Sequence, residues 1–205
     1  MNRTIRIGDR HVGPGHPTYV IAEMSGNHNG DKDKALALVR AAADAGADAV
    51  KLQTYTADTI TLDSDKEYFQ VKSGTLWDGQ TLHSLYREAF TPWDWQPELK
   101  ALAEELGMQC FSSPFDATAI DFLETMNVAA YKIASFELVD LGLIRKAAST
   151  GKPLIMSTGM ATLSEIGEAV NVARDAGCKS LALLRTNSAY PAPPEEMHLR
   201  TIPHL

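Results

Sequence analysis

Six short apolar runs punctuate the chain, and each ends in a polar or charged residue where the run stops. They are YVIAE at residues 19–23, AVKLQ at 49–53, MQCFSS at 108–113, AYKIAS at 130–135, PLIMST at 153–158 and SLALLR at 180–185. Between them lie segments with helical period. ALALVRAAADAG sets Leu36, Val39 and Ala43 on one face, with Gly46 placed to stop the helix. PWDWQPELKALAEELG aligns Trp93, Leu99, Leu102 and Leu106, with Gly107 as its stop. DATAIDFLETMN, LVDLGLIRKAASTG and TLSEIGEAVNVARDAG predict three more helices, the last capped by Thr162 or Ser164. The opening TIRIGDRHVGPGHPTYVIAE reads as a hairpin with a Gly/Pro-rich turn running into the first of these strands.

Strand alternating with helix at intervals of roughly 20 to 30 residues is the pattern of parallel β/α units. The fold class expected is α/β, a TIM-type barrel seen through about six β/α units behind an N-terminal β-hairpin. An eight-unit barrel takes about 250 residues, so the 205 residues are expected to form the N-terminal portion of such a domain. An open doubly wound sheet is the competing arrangement, but SGNHNG after the first strand does not match the Gly-rich nucleotide fingerprint. One connection is enlarged. Residues 56–90 carry Tyr68, Phe69, Trp77 and Tyr86 with DG and SG turn pairs, which predicts a structured, lid-like loop.

Composition narrows the partners. A formal net charge of −7 argues against nucleic acid or an anionic membrane surface, both of which need a basic footprint. No stretch approaches the ~18 apolar residues of a membrane span, and MNRTIRIGDRHVG lacks the apolar core of a secretory signal. Cys110 and Cys178 offer neither a disulfide framework nor zinc spacing, so both are expected reduced, in a cytoplasmic protein.

In β/α folds the carboxyl ends of the strands form the ligand site. Lys51 and Lys132 each interrupt an apolar strand, and lysine is seldom buried unless something pairs with it. Alternation puts Lys51 on one face with Gln53, and Lys132 with Ala134. Two such ammonium groups suit a phosphate or carboxylate; the bland alternative pairs them with Glu23 or Glu137 in a buried network. A Schiff base on one lysine is a second chemical option. Ser113, Ser135, Ser157 and Ser188 lie just past successive strands, where converging hydroxyls would ring a phosphate. Glu23 offers a carboxylate for acid–base work. The turn after it carries Asn27, His28 and Asn29, the asparagines equally suited to simple turn chemistry. His83, His198 and His204 have no partner at metal-ligand spacing and are expected at the surface.

IAEMSGNHNGDKDKAL, GADAVKLQTY, CFSSPFD, AYKIASFEL, GKPLIMSTGMATLSEI and NSAYPAPPEEM, in that order, resemble consecutive signatures of the sialic acid synthase family. LWDGQTLHSLYREAFTPWDW is most similar to the branch that makes pseudaminic acid. The resemblance implies a TIM barrel followed by a small antifreeze-like domain, in a domain-swapped homodimer. It implies condensation of phosphoenolpyruvate with an open-chain acetamido sugar, here 2,4-diacetamido-2,4,6-trideoxy-altrose, giving a nine-carbon 2-keto acid and phosphate. A divalent metal, Mn2+ or Mg2+, would polarise the sugar aldehyde. By matched position, Lys51, Ser113, Lys132, Ser135, Ser157 and Ser188 would hold phosphoenolpyruvate, Glu23 would sit near the reacting sugar and the attacking water, and Tyr190 would line the sugar and phosphate pocket. Arg185 and Thr186 depart from the family's usual Lys or His, then Cys. The metal-binding histidines of the family lie in later motifs, SDHT and an ERH-type segment, that these 205 residues do not include, nor do they include the antifreeze-like domain. Turnover by these residues alone is therefore not expected. The readings set beside this one are an N-acetylneuraminate or legionaminic acid synthase, a non-catalytic fragment retaining phosphate binding, and a Schiff-base aldolase.

Overall fold

The computed structural model describes residues 4–72, 77–188 and 192–205. The chain opens with an antiparallel hairpin, β1 (Ile5–Ile7) on β2 (Arg10–Val12). Its turn is not the Gly/Pro-rich segment. The chain reverses at Gly8 and Asp9, where Gly8 takes φ 59, and GPGHP forms the link beyond β2. Then follow β3 (Ile21–Glu23), α1 (Lys32–Asp44), β4 (Ala49–Thr54), α2 (Ala57–Ile60), α3 (Leu82–Ala89), α4 (Gln96–Glu105), β5 (Gln109–Pro114) and α5 (Ala117–Thr125). The remainder is β6 (Tyr131–Ile133), α6 (Leu141–Ser149), β7 (Leu154–Ser157), α7 (Leu163–Asp175) and β8 (Leu181–Leu184), with short 3-10 turns over Phe136–Val139 and Leu199–His204. By internal contacts these form two compact units, Tyr19–Met126 and Met1–Thr18 with Asn127–Leu205.

In the unit Tyr19–Met126, β3, β4 and β5 pair in parallel, setting Glu23 beside Lys51, Lys51 beside Phe111 and Gln53 beside Ser113. Side chains alternate along a strand, so one face carries Val50, Leu52 and Cys110. These pack with Ala35 and Val39 of α1 and Leu99, Leu102 and Ala103 of α4 into a core. The opposite face carries Glu23, Lys51, Gln53, Phe111 and Ser113. Helix periodicity identified the buried stripes in part. Leu99 and Leu102 are buried, but Leu106 is 37% exposed at the helix end, and Trp93 lies in a 3-10 turn before α4. Ala35 and Val39 anchor α1, with Leu36 and Ala43 only partly covered. Gly46 and Gly107 follow α1 and α4 at φ 83 and 80, the left-handed stop in which a side chain would be strained.

The enlarged connection is ordered by helices more than by aromatics. It holds α2, α3, a 3-10 turn at Glu67–Phe69 and a bridge between Gln70 and Thr81. Tyr68 is 90% exposed, whereas Tyr86 packs edge-on against Tyr55 at 5.6 Å. His83 is not a surface residue. It is buried, with Nε2 2.8 Å from Asp58 and Nδ1 3.7 Å from Asp63, so it clips α3 to α2 and the segment after it.

In the second unit β6, β7 and β8 pair in parallel, with Lys132 beside Ile155 and Ser157 beside Leu184. Tyr131, Ile133, Leu154 and Met156 are wholly buried on one face; Lys132, Ile155 and Ser157 share the other. α7 starts at the expected cap: Thr162 Oγ1 accepts from the Glu165 N–H, and the Glu165 carboxylate accepts from the Thr162 N–H at 2.7 Å. The Thr162 N–H, and then the Thr162 hydroxyl donating to the same carboxylate oxygen at 2.8 Å, hold the Glu165 carboxyl below its ordinary pKa. Both cysteines are free and buried; burial pushes the Cys110 thiol up to about 12 and raises that of Cys178. Among the described residues no helix is long and apolar enough to cross a membrane.

Candidate active site

β3 ends in Glu23, and the turn that follows is built to hold its carboxylate. The Ser25 N–H donates to Glu23 Oε1 at 3.1 Å, and Ser25 Oγ donates to Gln53 Oε1 at 3.2 Å. Ser25 adopts φ 50 to do so, a conformation few non-glycine residues take. The Lys51 ammonium forms an ion pair with Glu23, with the Lys51 side chain only 12% exposed and that of Glu23 40%. The pairing that competed with an anion site at the sequence level therefore exists. It leaves the lysine charge compensated while Glu23 stays open to solvent.

Asn27 and His28 serve the turn itself. Asn27 Nδ2 donates to the Met24 carbonyl at 2.9 Å, and Asn29 adopts φ 53. His28 is fully enclosed, its ring edge-on to Trp95 at 5.6 Å. Its Nδ1 accepts from the Gly30 N–H at 3.0 Å, so the proton sits on Nε2 and is donated to Thr91 Oγ1 at 3.1 Å. Burial, and then the charge of Lys34, lower its pKa and keep the ring neutral. With both nitrogens engaged and no exposed surface, His28 pins the SGNHNG turn.

Ser113 completes this group within Tyr19–Met126. It is buried on the Lys51 face, and its Oγ has no hydrogen-bond partner. Its neighbour Ser112, on the opposite face, is satisfied by Thr54 Oγ1 at 2.6 Å. The contrast matters, because burying a hydroxyl without a partner costs about 1–3 kcal/mol, and such an orphan in a folded protein calls for a ligand or a reason.

The second unit repeats the arrangement. Lys132 is largely buried, and burial pulls its pKa down to about 8, only partly opposed by the charge of Glu137. Burial likewise raises the Glu137 carboxyl, whose Oε2 is enclosed without a partner. Ser157, on the Lys132 face, is buried with an unpaired Oγ. Ser135 Oγ lies 3.3 Å from Thr186 Oγ1, and Ser188 Oγ lies beside Gly159. Arg185 bonds the Thr186 carbonyl. Sequence reasoning missed Ser25, Thr186 and Asn187, whose enclosed Nδ2 also lacks a partner. The one available signal was the run TNS directly after a strand. Tyr190 lies outside the described residues.

Among the described residues no group of three or more His, Cys, Asp or Glu side chains is placed to hold a divalent cation.

The Helicobacter pylori protein "Pseudaminic acid synthase" is 45% identical over 189 residues, covering 92% of this chain and 55% of that protein. Its namesake from Campylobacter jejuni is 44% identical over 187 residues, covering 91% and 54%. The chain thus spans about half the length of these curated relatives. The solved N-acetylneuraminic acid synthetase of Leptospira borgpetersenii superposes with a TM-score of 0.85 at 29% identity, over 98% of this chain and 65% of that one. This places the fold as an α/β, TIM-type barrel with an N-terminal hairpin, as the strand–helix alternation predicts. The NeuB family matches residues 38–205, four-fifths of the sequence, and the chain belongs to that family.

Proposed function

We propose that the chain is the phosphoenolpyruvate-binding part of a synthase that joins that donor to 2,4-diacetamido-2,4,6-trideoxy-altrose, giving pseudaminic acid and phosphate. The observation that carries the reading is the pair of buried, partnerless hydroxyls, Ser113 Oγ and Ser157 Oγ, each on the same sheet face as a lysine. Lys51, Lys132, Ser113, Ser135, Ser157 and Ser188 are the residues we assign to the donor, with Gln53 beside them. In the reaction, C3 of phosphoenolpyruvate bonds to the sugar aldehyde carbon, water adds to C2, and the C2–O bond to phosphate breaks to leave the ketone. The lysines neutralise the donor's charge and hold it in place, and Glu23, solvent-open and oriented by the Ser25 N–H, is positioned to accept a proton from that water. A Mn2+ or Mg2+ ion belongs to the family reading as the group that polarises the aldehyde; its ligands are not assigned to the described residues. A homodimer belongs to the same reading.

The sugar is tested by kcat/KM for the diacetamido sugar and for N-acetylmannosamine, on the protein purified from its own source. The similarity to two pseudaminic acid synthases at 44–45% identity supports the first. Preference for N-acetylmannosamine would move the protein to the N-acetylneuraminate branch.

The lowered Lys132 pKa makes a second prediction. The free site is charged below pH about 8 and loses its proton above it. Donor affinity should be flat from about pH 6.5 to 7.5, then weaken by up to tenfold per unit as the proton is lost. Calorimetry across that range checks it. Lys132→Arg, which cannot deprotonate, should flatten the profile; a profile unchanged by that substitution would remove Lys132 from the anion site.

A further inference from the structure

In the turn after β3, serine holds a backbone conformation that glycine would adopt with less strain. The Asn27 N–H donates to the Met24 carbonyl at 3.2 Å, closing a turn over Ser25 and Gly26. Ser25 stands at φ 50, in the left-handed region that non-glycine residues seldom enter. Gly26 is there for another reason: a Cβ on it would lie 2.9 Å from the Ala89 carbonyl oxygen. Glycine thus answers a close approach, and serine takes the strained position. Strain kept among site residues points to a use for the side chain. Ser25 Oγ donates to Gln53 Oε1 at 3.2 Å, while Gln96 Nε2 donates to the Gln53 carbonyl at 3.4 Å. With its amide oxygen engaged, Gln53 has its NH2 group left over, and among the described residues Gln53 Nε2 has no hydrogen-bond partner.

We propose that Ser25 is a positioning residue: its hydroxyl turns the Gln53 carboxamide so that the NH2 group faces the acceptor sugar, as donor to one of its neutral oxygens. The inference rests on the synthase reading given above and adds to it a residue that acts only through Gln53. A carboxamide can present either its oxygen or its NH2 group, and a hydroxyl donating to the oxygen removes that choice. Ser25 also fixes where the amide stands. Its N–H donates to Glu23 Oε1 at 3.1 Å and its hydroxyl to Gln53, so one residue bridges the two. The amide therefore lies beside the carboxylate assigned to the attacking water, where the hydroxyl and acetamido oxygens of a sugar are neutral acceptors that need a neutral donor.

The test is steady-state kinetics on the whole protein, expressed in its own source, with phosphoenolpyruvate and the diacetamido sugar. Ser25→Gly and Ser25→Ala both remove the hydroxyl and both keep the N–H that orients Glu23. Each should raise KM for the sugar about 3- to 10-fold, the range for one neutral hydrogen bond, with kcat and the KM for phosphoenolpyruvate within about twofold of the unsubstituted protein. A turn that had merely loosened would release Glu23 as well and lower kcat. Ser25→Gly also relieves the backbone, so its unfolding midpoint should hold or rise, and it decides the question if Ser25→Ala does not fold. Added to Gln53→Ala, Ser25→Gly should change the sugar KM no further. An unchanged sugar KM in Ser25→Gly, or an equal rise on the Gln53→Ala background, would overturn the positioning role. If Gln53→Ala raises that KM while Ser25→Gly does not, the synthase reading stands and the inference alone fails. Lack of turnover by the unsubstituted protein with phosphoenolpyruvate and either acetamido sugar would overturn both.

Discussion

Replacing Lys132 with methionine should weaken phosphoenolpyruvate binding by about 30- to 5,000-fold, the equivalent of 2–5 kcal/mol for removing one partner of a desolvated charge pair. The fold should not suffer with it. Burial acts on the Lys132 ammonium more strongly than Glu137 supports it, since the net effect is a pKa lowered to about 8. The sign follows from linkage. A lysine whose folded pKa lies below its unfolded value opposes folding wherever the unfolded chain holds the proton, and the penalty is full below pH about 8. Stability therefore rises with pH between about 8 and the unfolded value near 10.5. Methionine keeps the apolar stem and removes the penalised charge, so stability at neutral pH should hold or increase. Binding lost and stability kept is the signature of an anion site. Stability lost with binding kept would instead mark Lys132 as part of a structural pair with Glu137. Lys51→Ala should weaken binding on the same scale, and it also frees Glu23 from its ion pair. Calorimetry on both variants, with thermal unfolding alongside, separates the two cases.

Phe111→Ala should cost about 3–5 kcal/mol of stability, the range for a large buried aromatic cut to alanine. For a chain of this length that is a fall of about 6–20 °C in the unfolding midpoint. Phe111 is completely buried and stands in register with Lys51 on the face that carries Gln53 and Ser113. Its ring is the apolar floor of that face, and a cavity there would admit water beside the lysine. Phe111→Leu should cost far less. A midpoint lowered by less than about 3 °C in Phe111→Ala would mean that the site collapses around the gap.

Much of this was legible because strand side chains alternate. A lysine inside an apolar strand declares its face, and Lys51 with Gln53, or Lys132 with its apolar neighbours, could be placed from spacing alone. Gly46, Gly107 and the Thr162–Glu165 cap were legible for a similar reason, since each is a local backbone requirement written in residue type. What failed was whatever depends on contacts distant in sequence. His28 lies five residues after Glu23, yet its environment is set by Thr91 and Trp95, more than sixty residues away. His83 looked like a surface residue until Asp58 and Asp63 came to both sides of its ring. Thr186 and Asn187 lie past the end of a strand, where alternation ceases to specify direction. The pairing of Lys51 with Glu23 was visible as one of two outcomes, and spacing could not choose between them.

The two cysteines carry a consequence for anyone who labels this protein. Alkylating reagents react with the thiolate, and burial holds both thiols in the protonated form, Cys110 with a pKa of about 12. Modification must therefore wait for the chain to open locally, and its rate reports the free energy of that opening. Cys110 belongs to Tyr19–Met126 and Cys178 to the other unit. Each half of the sequence thus carries its own chemical clock. Two clocks that keep the same time under increasing denaturant would mean that the halves open as one cooperative body, and two that diverge would name the half that opens first.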